Sequence, residues 1–157
     1  KPENDSFKRT SLLVSFGEQD LRNSVGWNVG ATASVEPFDV GDQTELKQRY
    51  SGFGGWATTK IRVGAEFHTL LNGDMEQSII VSGYGTVKLS GKAKLIARFD
   101  RFDPAIDSGG DSQSYFLTGL SFAPQSGLTI APNIRYTIPE ADGDLGLRLI
   151  LNFEFKL

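Results

Sequence analysis

Eight basic side chains, Arg62, Lys88, Lys92, Lys94, Arg98, Arg135, Arg148 and Lys156, are spaced so that a period-two chain would turn them to one side, against only Glu66, Asp100 and Glu154 there. Ammonium and guanidinium groups gathered on one surface lower the electrostatic cost of admitting negative solutes. The surplus is local, because the whole chain carries a net charge of −3. That overall charge argues against generic nucleic-acid binding, which usually needs a basic domain. The same residues have a plainer role available, as charges that fill a narrow barrel in salt-bridged pairs, such as Arg148 with Glu154 among its neighbours.

Other chemistry is thinly provided for. Asp103, Asp107 and Asp111, around Gly109-Gly110, could offer carboxylates to calcium, and Glu140, Asp142 and Asp144 form a second acidic loop, but neither has EF-hand spacing and a solvated loop is the simpler reading. The single histidine, His68, has no serine and acid partner visible in the sequence. Gly52, Gly54 and Gly55 are followed by no helix and no Lys-Ser/Thr, so they mark close backbone approach or bends and not a phosphate loop. With no cysteine there is no disulfide framework and no thiolate metal site. Neither an enzyme nor a cofactor is expected.

The elements that must position the charges are strands. In residues 145–157, Leu145, Leu147, Leu149, Leu151, Phe153, Phe155 and Leu157 alternate with Gly146, Arg148, Asn152, Glu154 and Lys156, and only Ile150 breaks the polar series. Successive side chains of a strand face opposite ways, so this is one long strand with an apolar face and a charged face. The same pattern recurs over residues 9–16, 25–35, 46–58, 61–69, 78–89, 92–101, 115–123 and 128–138, giving nine extended segments and no helix. A chain of 157 residues is one domain on ordinary size grounds. No stretch reaches the roughly eighteen apolar residues of a membrane-crossing helix, so any membrane crossing is made by strands of about 9–11 residues. Pro132 inside such a strand removes a ladder hydrogen bond and predicts a bulge or bend.

Alternation alone does not say which face is inside, since a soluble sandwich or lipocalin-like barrel would bury the leucines. Two further patterns favour a membrane barrel. The connections at residues 58–60, 89–91 and 124–127 are short, whereas those at 37–44, 71–76, 103–112 and 139–144 are longer and rich in Asp, Gly and Pro, matching the periplasmic and extracellular ends of such a barrel. Trp27, Trp56, Phe122, Phe153 and Phe155 fall near one rim, and Tyr50, Phe67, Phe99, Phe116 and Tyr136 near the other, with aliphatic residues between. Phe53 and Tyr84 depart from this pattern by falling on the opposite face.

Three stretches also carry a resemblance: residues 91–104 (GKAKLIARFDRFDP), 114–124 (SYFLTGLSFAP) and 128–136 (LTIAPNIRY). With their Arg-Phe-Asp-x-Phe-Asp-Pro strand end, glycine-bearing strand and proline-marked turn, they resemble the carboxy-terminal strands of bacterial porins of the phosphate-selective O and P type, over about the last two-thirds of the chain. The resemblance implies an outer-membrane location, a diffusion channel and a homotrimer. The chain departs from that pattern in ending in Leu157, two residues after Phe155, and in being much shorter.

The fold expected is therefore an all-β, antiparallel up-and-down transmembrane barrel, or the C-terminal part of one. Nine strands with a periplasmic C-terminus put the start of the chain outside, whereas single-chain bacterial barrels have even counts. A segment of a larger porin is the first reading, and a complete barrel of eight or ten strands the second. The polar start Lys1-Pro2-Glu3-Asn4-Asp5 has no signal-peptide core and reads as a processed terminus or an internal one. In this scheme Arg62, Glu66, Lys88, Lys92, Lys94, Arg98, Arg135, Arg148, Glu154 and Lys156 line the pore, and the leucines and phenylalanines of residues 145–155 meet outer-membrane lipid. Small solutes, anions above all, would pass. A structural or adhesin-like barrel and a soluble lipocalin-like binder are the alternatives.

Overall fold

The structure, a computed structural model, describes residues 7–73, 77–141 and 143–156. Nine strands follow one another: β1 Thr10–Gly17, β2 Gly26–Val40, β3 Gln43–Ala57, β4 Ile61–Asn72, β5 Ser78–Lys88, β6 Ala93–Asp103, β7 Gln113–Gln125, β8 Leu128–Pro139 and β9 Gly146–Phe155. Each pairs antiparallel with the next in one sheet of order β1 to β9, and the described residues include no helix. The nine expected segments are all present. Period-two patterns rich in Val, Ile, Phe and Tyr suit a pleated surface, and short polar turns return the chain at once.

One connection differs from expectation. Residues 37–44 do not form a loop: β2 and β3 stay paired as far as Val40 opposite Gln43, leaving Gly41 and Asp42 as the turn. Gly41 has φ 63°, a conformation that glycine adopts without Cβ strain. Pro37 is accommodated because β1 ends opposite Val35, so the missing N–H lies beyond the end of that ladder. At the tight-turn end, residues 18–25 make a longer connection between β1 and β2. The other turns there are short. Thr58 closes one of them, its N–H donating to the Ile61 carbonyl at 2.7 Å and its Oγ1 accepting from the Ile61 N–H at 2.9 Å.

The irregularity expected at Pro132 stays local. Pro132 lies in the middle of β8 opposite Leu151 of β9. On its other side, direct pairing with β7 stops at Gly119 opposite Asn133 and resumes at Phe122 opposite Ile130. A bulge then follows in β7 between Phe122 and Gln125.

Register decides which residues share a face. Following partners across the sheet, Phe16, Val29, Gly54, Ala65, Gly83, Phe99, Phe116, Tyr136 and Leu147 form one continuous row. All are on the apolar side, so nine separate alternations merge into one apolar face. The row starts beside the tight-turn end of β1 and finishes beside the opposite end of β9. A drift of about seven residues over eight steps, at about 3.3 Å per residue and 4.8 Å per strand, corresponds to a strand tilt of about 30°, near the range for barrel walls.

The sheet is open. No pairing or packing joins β1 to β9 among the described residues, so a closed barrel is not formed by this chain's nine strands alone. There is also hardly a core. Ala57 and Ala105 are the buried apolar residues among those described, whereas Leu149 is 76% exposed.

Candidate pore-lining face

In β2 and β4 exposure alternates in the opposite sense to that of a soluble protein, while in β9 both faces are largely exposed. In β4, Ile61, Val63, Ala65 and Phe67 are exposed while Arg62, Gly64 and Glu66 are half-buried, and β2 repeats this with Trp27, Val29 and Ala31 against Asn28, Gly30 and Thr32. The buried polar groups within strands, Ser82, Ser121 and Asn133, all belong to the polar face, and Ser112 is buried in the connection before β7. Side chains crowd on the inner side of a curved sheet and splay on the outer side, so the polar face is the occluded one. Leu13, Ile80, Ile96, Phe102, Leu117 and Ile150 also stand on it, so this face is mixed rather than wholly hydrophilic.

Strand register places Arg62, Glu66, Lys88, Lys94, Arg98, Arg135, Arg148 and Glu154 on this face. Lys92 and Lys156 sit just outside strand ends, in the turn before β6 and after β9. On the opposite face are Leu147, Leu149, Leu151, Phe153 and Phe155, with Leu145 exposed immediately before β9. Leu157 and Asp142 lie outside the described residues.

The charges fall into two kinds of neighbourhood. Toward the long-loop end they are paired: Glu36 accepts from Arg9 at 2.9 Å and from Arg49 at 2.8 Å. Arg98 Nε meets both oxygens of Asp100, at 3.0 and 2.7 Å. Glu66 receives the Tyr84 hydroxyl at 3.1 Å and stands 3.3 Å from His68 Nε2. Other charges on this face stand opposite like charges. Lys88 is directly opposite Lys94, and Arg135 directly opposite Arg148. Such pairs destabilise a sheet unless solvent or anions screen them. The expected Arg148 with Glu154 pairing is not made; Glu154 instead meets Lys156 at 3.5 Å.

At the tight-turn end, Arg22, Arg62, Lys88, Lys92, Lys94 and Lys156 line a cleft of about 350 Å³ in which Glu154 is the acid. Arg22 was missed in the sequence because it belongs to a connection, with no alternation to assign it a face. It arrives there because residues 18–25 fold onto the polar face: Arg62 Nε donates to the Leu21 carbonyl at 2.9 Å, and Asn28 Nδ2 donates to the Glu18 carbonyl at 3.1 Å. The Leu21 side chain occupies the space that a Cβ on Gly55 would need, at 2.9 Å. Gly30 and Gly64 are similar, lying beneath the rings of Phe53 and Tyr84. Covering glycines explains why these two aromatic side chains depart from the outer face.

The described residues of the acidic loops form no ion cage. No group of three or more His, Cys, Asp or Glu residues suited to a metal occurs among the described residues. Asp103 Oδ1 instead accepts from the Ala105 N–H at 3.2 Å. Glu140 has a different task, tying two long loops together: Ser112 Oγ donates to it at 2.5 Å, and Arg101 lies 3.5 Å away. The Ser112 hydroxyl, and then Arg101, hold the Glu140 carboxyl below its usual range. His68 gains an acid neighbour in Glu66 and a serine, Ser51, as its cross-strand partner, but the Ser51 hydroxyl bonds Thr32.

The fold and its two faces define a class: a single-layer antiparallel meander with an exposed apolar side and an occluded, largely polar side. Compared with known proteins, the chain matches no family model, no curated protein and no solved structure. The likeness to phosphate-selective porins therefore stands on the quoted motifs alone.

Proposed function

We propose that this chain is part of the wall of an outer-membrane β-barrel that gives small solutes passive passage, with anions favoured. The observation that carries the reading is the inverted exposure. A sheet with exposed leucines, half-buried Arg49, Arg62 and Arg135 and almost no apolar core among its described residues is poorly suited to water and well suited to a wall with hydrocarbon outside and solvent inside. Support comes also from the tilt of about 30°, from strands of 8 to 15 residues and from aromatic residues toward both ends of the apolar face. Trp27 stands opposite Trp56 at one end, and Phe99 packs on Phe116 at 4.9 Å toward the other.

Strand count bears on closure. In a meander of nine strands the first and last run the same way, so joining β9 to β1 would give a parallel seam. An antiparallel closure takes an odd number of further strands between them, which favours the reading as a segment of a larger porin. The homotrimer implied by the resemblance belongs to the same proposal.

A structural or adhesin-like barrel is the second reading, favoured by the paired charges around Glu36 and Asp100. Planar-bilayer recording on the detergent-extracted protein separates the two. Steady conductance with an anion-biased zero-current potential supports the channel, and insertion without conductance supports the anchor. A protein that stays monomeric in buffer without detergent would overturn both and leave the lipocalin-like binder.

A further inference from the structure

We propose that the long-loop half of the polar face carries a binding site for uncharged oligosaccharides, in which Phe53, Tyr84 and Phe102 offer ring faces to the sugar and Glu66 accepts from its hydroxyls. The inference goes beyond anion passage and rests on the channel reading only for its placement of the polar face toward water.

Register brings the parts together. Thr32, Ser51, His68, Ile80 and Phe102 are successive cross-strand partners from β2 to β6, and Phe53 is the partner of Glu66 in the next row of the same face. These residues line a cleft of about 770 Å³, and small-molecule sites usually measure about 300–1,000 Å³. Two of the rings lie over the backbone of a neighbouring strand, Phe53 over Gly30 and Tyr84 over Gly64, so that the wall covers one ring face and leaves the other to the polar side. Tyr84, held beside the cleft by its bond to Glu66, is 44% exposed.

Charge selects the class of ligand. In this half the ions are satisfied within the chain: Glu36 serves Arg9 and Arg49, Asp100 holds Arg98, and His68 stands beside Glu66. The cleft at the tight-turn end is cationic and has no aromatic ring in its lining. Ring faces suit the apolar C–H faces of a pyranose. One oxygen of Glu66 accepts from the Tyr84 hydroxyl at 3.1 Å and the other lies 3.3 Å from His68 Nε2, which leaves lone pairs on both for sugar hydroxyls. A purely apolar ligand would strip water from Glu66 and from the hydroxyls of Thr32, Ser34 and Ser51 that line the cleft, without replacing it. An anion would meet the Glu66 carboxylate.

The test is titration calorimetry of the full chain in a sugar-free detergent with cellotriose, maltotriose, phenol and a polyethylene glycol of similar mass, beside bilayer recording of the same preparation. At least one trisaccharide should saturate near one per chain, with an affinity unchanged as sodium chloride rises, because an uncharged ligand has no charge to screen. Polyethylene glycol should not bind, and phenol should bind more weakly than the sugar. Tyr84→Ala should weaken sugar binding about fivefold, Tyr84→Phe should keep it within about twofold, and Lys60→Ala in a tight turn should leave it unchanged. Folding is checked by heat-modifiable gel mobility. If Tyr84→Ala misfolds, Tyr84→Leu, which still covers Gly64, decides: weakened binding supports the site and parental binding overturns it. Absence of binding by both trisaccharides, phenol binding as tight as the sugar, or a Tyr84→Ala affinity equal to the parent overturns the inference even where the protein conducts. Sugar binding without conductance keeps the site and overturns the channel.

Discussion

Val81 and Ser82 are neighbours in β5 with opposite exposures: Val81 is 43% exposed and Ser82 is 3% exposed. A water-soluble sheet reverses this order, because burying Val instead of Ser is worth on the order of 1.5 kcal/mol or more per side chain. An apolar solvent outside removes the contradiction.

Leu149 is exposed on the apolar face, and Arg148 beside it faces Arg135 across the strands. Leu149→Arg should cost roughly 2–4 kcal/mol at mid-bilayer depth and impair insertion. Arg148→Leu removes a like-charge opposition and should fold at least as well as the parent. Urea midpoints in detergent check the pair, and equal tolerance of both would contradict the assigned faces.

A Cβ at Gly64 would meet the Tyr84 ring at 2.6 Å, whereas nothing lies within 4 Å of one at Gly83. Gly64→Ala should therefore displace the ring and destabilise by about 1–3 kcal/mol, as overpacking does. Gly83→Ala, on the outer face, should be close to neutral. Denaturant unfolding followed by tyrosine and tryptophan fluorescence separates the two outcomes.

Trp27 and Trp56 are register partners one residue from the tight-turn ends of β2 and β3. In vesicles both should be quenched more by lipids brominated near the headgroup than by lipids brominated at mid-chain. The reverse order would remove the aromatic girdle from that end.

The carboxyl of Glu140 is held below its usual range first by the Ser112 hydroxyl and then by Arg101. A depressed folded-state value means the link between the loops is complete above the ordinary glutamate range, and is lost as pH falls through the lowered value. The protection factor of the Ser112 amide, taken against its intrinsic exchange rate at each pH, should fall in that acid window, and Glu140→Gln should abolish that fall. A protection factor that stays constant with pH in the parent would remove Glu140 from that role.

Lys94 has a lysine opposite it, while Arg98 is already paired with Asp100. Lys94→Glu should therefore move the zero-current potential toward cations more than Arg98→Glu does. Both shifts should shrink as salt rises, the screening length being about 10 Å at 0.1 M. No shift in either variant would return these charges to a filling role.

Much of this architecture was legible before any coordinates. Strand existence and facing are local properties: Leu147, Leu149 and Leu151 alternate with Arg148 and Asn152 whatever lies beside them, so nine segments and their two faces follow from period two. Proximity across strands is different, because it depends on register, and a slip of one residue exchanges every face. That is why the Arg135 and Arg148 opposition, the Arg9, Glu36 and Arg49 cluster and the rings over Gly30 and Gly64 emerged only from the tertiary structure. Residues 37–44 read as a loop from their Pro, Asp and Gly content, yet long partner strands keep them paired down to Gly41 and Asp42. Arg22 had no period to follow, and only the folding of residues 18–25 onto the polar face brought it to the other cations. The sequence by itself determined strands and faces because alternation is written residue by residue. The tertiary structure alone decided which charges meet, because that depends on how far each strand slides past the next.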